Sequence, residues 1–99
     1  MVKKEDAVNY LRDLSPETSF WVNNGNVLKN VDELQNALET MTEETYRYHV
    51  NKEKNDFSKW VDEIIGDKKL AKDLQSARNR YSALIKVKRR IEILKNSIN

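Results

Sequence analysis

A chain of 99 residues with 38% hydrophobic and 34% charged side chains fits one small domain with a thin core, and is too short for a multidomain enzyme. The absence of cysteine excludes disulfides, zinc knuckles and thiol catalysis, so packing alone must hold the fold. The formal net charge of +2 hides a division: residues 1–66 carry 8 basic and 13 acidic side chains (net −5), residues 67–99 carry 10 basic and 3 acidic (net +7). Such asymmetry points to an acidic partner, nucleic acid above all, or to an acidic surface of a neighbouring subunit.

Val8, Leu11 and Leu14 at helical spacing predict a first amphipathic helix over Glu5 to Leu14, ended by Ser15-Pro16. Phe20-Trp21-Val22 and Val27-Leu28 flank Asn23-Asn24-Gly25-Asn26, a pattern that predicts a small hairpin leaning on helices. Asn30, with Glu33 three residues on, starts a second helix whose apolar stripe is Leu34, Ala37, Leu38 and Met41. Thr42, followed by Glu43 and Glu44, starts a third that runs toward Asn51. Asp56 is expected to cap a fourth, with Phe57, Trp60, Val61, Ile64 and Ile65 on one face and Gly66 as its left-handed close.

From Asp67 to about Ser97 there is neither glycine nor proline, and Leu70, Leu74, Ala77, Tyr81, Leu84, Val87, Ile91, Leu94 and Ile98 recur at spacings of three and four. One continuous helix of that length is a rod of about 45 Å. The expected fold is therefore mainly α: a single domain over 1–99, with an acidic helical and hairpin part (1–66) and a long basic C-terminal helix (67–99). The apolar stripe resembles a coiled-coil seam whose register slips after Leu84, where Lys88 and Lys95 take positions a strict heptad would make apolar. The N-terminal helices are too short to cover such a rod, so Val87, Ile91, Leu94 and Ile98 are expected to bury against a second copy of the chain, giving a homodimer.

Phe20 and Gly25, Leu34 and Leu38, Tyr46-x-Tyr48-His49-Val50, Asn55-Asp56-Phe57-x-x-Trp60 and Gly66-Asp67-x-x-Leu70-Ala71 together resemble a small family of archaeal and bacterial proteins catalogued as a domain of unknown function. The likeness covers Phe20 to about Gln75, a little over half of the chain, and leaves the basic tail outside it. It implies no activity, cofactor or catalytic residue.

His49 is the single histidine, flanked by Tyr46 and Tyr48. A metal site there would need Glu53 or Asp56 to complete it, and general-base chemistry would need a positioned partner. The reading preferred here is a structural histidine, hydrogen-bonded to a carboxylate or a helix cap. Asn55 and Asp56 read as helix caps rather than a catalytic cluster. Glu43-Glu44 and Asp62-Glu63 are neighbours that diverge around a helix, so neither is a convergent acid/base pair. The Asn23 to Asn26 loop has one glycine and lacks the spaced glycines and lysine of a phosphate cradle. Phe20, Trp21, Phe57 and Trp60 could stack on bases, yet a core this thin needs them, Trp21 least securely because it adjoins the turn.

On the last helix Arg78, Lys86, Arg89 and Arg90 fall broadly opposite the apolar stripe, a face able to follow a phosphate backbone or enter a major groove. Asn79 and Ser82 add polar groups beside it. The competing reading is a solvated or seam-flanking basic face that pairs with carboxylates. The function expected is a non-enzymatic binding module engaging nucleic acid through Arg78, Lys86, Arg89 and Arg90, in a nucleoid-associated or regulatory role. A protein-interaction or oligomerisation module is the alternative, and an enzyme built on His49 the least favoured. No cofactor, metal or small-molecule substrate is expected. The charged N-terminus lacks the apolar stretch of a secretory signal and no run of about 18 apolar residues occurs, which predicts a cytoplasmic protein without membrane association.

Overall fold

Five helix starts follow one local rule, in which a side-chain oxygen accepts the amide hydrogen three residues on and so satisfies a donor the helix itself leaves unpaired. The computed structural model describes residues 2–99. In it Asn30 caps onto Glu33, Thr42 onto Thr45, Asn55 onto Ser58, Asp67 onto Leu70 and Asn79 onto Ser82. The helices are α1 (Lys4–Leu11), α2 (Val31–Thr40), α3 (Glu43–His49), α4 (Asp56–Trp60), α5 (Lys68–Gln75) and α6 (Arg80–Ile98), with one hairpin of β1 (Phe20–Trp21) and β2 (Val27–Leu28) between α1 and α2. The mainly helical class, the hairpin and the long C-terminal helix are as the sequence predicts.

The first strands pair antiparallel with Phe20 opposite Leu28 and Trp21 opposite Val27. Gly25 takes the positive φ (95°) that the tight connection demands. At α2 the expected capping arrangement is present, with the Glu33 carboxylate reaching back to the Lys29 amide at 2.8 Å. α4 is capped by Asn55 and not by Asp56, whose carboxylate is engaged elsewhere. Beyond Trp60 the helix widens into a π-helical turn over Val61–Ile65, closed by the Gly66 amide on the Val61 carbonyl at 2.8 Å and by Gly66 in the left-handed region at φ 91°. The Arg12 guanidinium then donates to the carbonyls of Ile64 (3.0 Å) and Ile65 (3.2 Å), satisfying acceptors at the end of that turn and tying the exit of α1 to it.

The continuous rod from Asp67 to Ser97 is corrected by the structure. α5 stops at Gln75, the chain turns through Ser76–Asn79, and the Asn79 cap starts α6 afresh. α6 has 19 residues, about 28 Å at 1.5 Å per residue, within a molecule whose longest dimension is 37 Å. The turn lets α6 fold back over α1 and α2 as well as α5. Ala83, Leu84, Val87, Ile91 and Leu94 are buried there, while Ile98 is half-buried at the helix end. The seam expected to need a second copy is thus covered by the chain's own helices, and the argument that gave a homodimer through Val87, Ile91, Leu94 and Ile98 falls away.

The remaining core joins Val22, Leu28, Leu34, Leu38, Phe57, Trp60, Val61, Leu70 and Leu74 into the same cluster. Ser58 Oγ donates to the Ala71 carbonyl at 2.7 Å and Asn55 Nδ2 to the Leu74 carbonyl at 3.1 Å, so polar groups at the start of α4 are satisfied by α5. Trp60 buries its ring and spends its indole N–H on the Thr18 carbonyl at 2.9 Å. No helix among the described residues is long and apolar enough to cross a membrane. Because Leu94 is fully enclosed within one chain, Leu94→Ala is expected to cost about 2 to 5 kcal/mol of unfolding free energy. Its mass by light scattering should equal the parent's; a fall in mass would restore the seam.

Candidate functional site

Folding α6 back divides the cations of the basic segment into two sets. Arg90 lies on the flank of the buried stripe, and its guanidinium grips Asp67 through two hydrogen bonds, Nε to Oδ2 at 2.8 Å and Nη2 to Oδ1 at 2.9 Å. The Asp67 side chain is 1% exposed and that of Arg90 11%. Arg90 is therefore an internal structural residue, which corrects its expected place on a phosphate-binding face. Arg80 is likewise engaged, by Glu43 at 2.6 Å and the Leu38 carbonyl at 2.6 Å, and Lys95 by Asp32 at 3.2 Å.

Lys86 and Arg89 have no carboxylate partner among the described residues. Together with Lys69 of α5 they border a groove of about 300 Å³ between α5 and α6, in which Asp73 is held by Lys69 and Ile93 supplies an apolar edge. Arg78, the fourth cation of the expected set, stands apart from them. It lies in the α5–α6 connection on a separate cleft of about 650 Å³, with Arg47, Lys52 and Lys54. Sequence periodicity grouped the four because it treated 67–97 as one helix. Asn79 and Ser82, expected as polar contacts, are the capping pair of α6.

His49 is 4% exposed and both its ring nitrogens are engaged. The Asn23 backbone N–H donates to Nε2 at 2.9 Å, so that nitrogen carries a lone pair, and Nδ1 carries the proton it gives to Asp56 Oδ2 at 2.9 Å. Phe20, Phe57 and Tyr48 pack around the ring. A histidine with no vacant nitrogen clamps the hairpin to the entry of α4, as the structural reading predicts. Among the described residues no three metal-ligating side chains converge.

Asp56 also accepts from Lys54 Nζ at 3.0 Å, and that ammonium lies 5.0 Å from the centre of the exposed Tyr48 ring. Burial raises the Asp56 carboxyl, but the hydrogen bonds from His49 and Lys54 and the Lys54 charge outweigh it and hold the group below its ordinary value. Trp21 is 68% exposed on the outer face of the hairpin with Val27, which corrects its expected place in the core. Alternation along β1 explains this: Phe20 and Val22 turn inward, so Trp21 must turn outward.

Two variants test these joints. Arg90→Met leaves the Asp67 carboxylate buried without a counter-charge and should lower unfolding free energy by about 3 to 5 kcal/mol, whereas adding Asp67→Ser, which keeps a capping oxygen, should recover most of the loss. In urea titrations, equal stability of parent and single variant would contradict the pairing. For Asp56 the folded carboxyl titrates below its unfolded value, so its contribution is present above the ordinary aspartate range and is lost as pH falls through the folded value. Thermal melts from neutral to acid pH should show a component of acid destabilisation that Asp56→Asn lacks.

Comparison with protein-family models, curated proteins and solved structures finds no match to this chain.

Proposed function

We propose that the protein is a non-enzymatic binding module that engages nucleic acid through the outward face of α6, with Lys86 and Arg89 as its phosphate contacts. The observation that supports this reading is the pairing pattern of the basic segment. Lys68, Lys69, Arg80, Arg90 and Lys95 each have a carboxylate within the chain, whereas Lys72, Arg78, Lys86, Lys88 and Arg89 have none among the described residues, and of these Lys86 and Arg89 flank one groove on α6. Cations left uncompensated on a rigid helix, itself anchored from behind by Arg90, are preorganised for a phosphate backbone. Each phosphate they neutralise releases condensed counterions, giving affinity that ignores sequence and weakens with salt. A nucleoid-associated or regulatory role agrees with that sequence-independent chemistry.

A second reading, docking of a protein partner, has one observation in its favour. Ile93 on the same outward face is 50% exposed and borders a shallow cavity of about 610 Å³ with Val2, Asn96 and Ser97. Mobility shifts with random-sequence duplex DNA across a salt series separate the two. Binding by the parent at low salt is expected, with Lys86→Ala/Arg89→Ala weakening it and reducing the log–log salt slope by about 2, and with helical content unchanged. Failure of the parent to shift duplex at the lowest salt removes the nucleic-acid reading and leaves the protein-docking one.

A further inference from the structure

The cleft around Arg78 shares no residue with the α5–α6 groove and has a different construction. Its walls are the last turn of α3, the 51–55 segment and the 75–79 connection, around a volume of about 650 Å³. Arg47, Lys52 and Arg78 are exposed on it and have no carboxylate partner among the described residues, while Lys54 is shared with Asp56. Of the two acids on the cleft, Glu43 is paired with Arg80 at 2.6 Å, and Glu53 is the other, against three cations without a carboxylate partner among the described residues.

The floor of the cleft adds an observation of another kind. Tyr46 is 5% exposed, packs its ring on Phe57, and lines this cleft. Its hydroxyl makes no hydrogen bond to any described residue, although among the described residues no buried side-chain polar atom lacks a partner. The hydroxyl therefore keeps some contact with solvent, on a residue that lines this cleft. Burial and then the nearby Glu43 carboxylate raise its pKa, so it stays protonated and can donate. A neutral O–H donor on a residue of a cleft that also bears guanidinium and ammonium groups suits a compact multivalent oxyanion.

We propose that this cleft binds a phosphate monoester group, with Tyr46 O–H and Arg78 as its anchoring donors and Arg47 and Lys52 completing the charge. A phosphate monoester carries close to two negative charges and three acceptor oxygens at neutral pH, which matches the number and charge of these donors better than a single carboxylate does. The site stands independently of the α6 face, and the two fail separately.

The test is a two-dimensional ¹⁵N NMR titration of the whole chain with inorganic phosphate. Saturable shifts confined to the amides of Arg47, Lys52 and Arg78 and their neighbours are expected. Tyr46→Phe, which keeps the ring packing, and Arg78→Ala, at an exposed position, should each weaken binding about tenfold. Lys86→Ala/Arg89→Ala should leave it unchanged. Shifts that never saturate, that scatter over surface lysines, or that persist undiminished in both cleft variants overturn the proposal. Adenosine monophosphate and a 5′-phosphorylated single strand, compared with its unphosphorylated counterpart, then distinguish a free phosphate ester from a nucleic-acid end, and either result upholds the site.

Discussion

The rotation of α6 about its own axis is set by burial of Val87, Ile91 and Leu94 against α1 and α2, and almost every feature of the charged surface follows from that rotation. Each of these side chains contributes roughly 2 kcal/mol of transfer free energy, and a chain of this size without disulfides has few others to spend. With that stripe inward, the 100° step per residue sends Ser82, Lys86 and Arg89 outward and leaves Arg90 on the flank. Arg80 arrives at Glu43 and Lys95 at Asp32, each across a helix boundary. Which cations are neutralised and which are not is thus a consequence of hydrophobic packing, decided before any partner is considered.

Asp67 is the joint at which three elements of that packing meet. It follows the left-handed Gly66, caps α5 through the Leu70 amide, and receives both arms of Arg90 from α6. A buried ion pair of this kind adds little net stability over a well-packed apolar pair, because desolvation offsets most of the attraction; what it does is penalise every arrangement that leaves one charge alone. Neighbouring joints work the same way: His49 between hairpin and α4, Asn55 and Ser58 between α4 and α5, Arg12 between α1 and the π-helical turn. The polar residues of these joints lie among the core side chains of the same elements.

Features encoded by neighbouring residues were legible in the sequence. The Asn30–Glu33 and Thr42 caps, the glycine turn of the hairpin, the left-handed Gly66 and the amphipathic face of 57–65 all depend on side chains within a few positions of one another. Contacts between distant segments left no such trace: Arg90 is 23 residues from Asp67, and Arg12 is 52 from Ile64. Two misreadings were of a different sort, since a local signal existed and lost to a stronger-looking one. Asn79 with Ser82 has the spacing of a helix cap, but an unbroken run without glycine or proline suggested a single rod. Strand alternation turned Trp21 outward, but ring size suggested the core. At the candidate sites, the cations were visible as composition, whereas their separation into a groove on α6 and a cleft around Arg78 required the turn at Ser76–Asn79.

That separation bears on how strongly a nucleic acid could be held. The segment 67–99 carries a net charge of +7, yet half of its cations are matched by carboxylates within the chain, so the field it projects is patchy rather than continuous. A face offering two or three phosphate contacts gives a salt slope of only about −2 to −3 and a correspondingly weak affinity for one duplex segment. Firm association with a polymer would then come from several copies occupying neighbouring segments, where weak contacts combine through effective concentration rather than through a larger single interface. Because the seam of α6 is already filled from within, such clustering would have to be organised by the nucleic acid itself or by the half-exposed Ile93 edge, not by the coiled-coil pairing that the periodicity of the helix suggests.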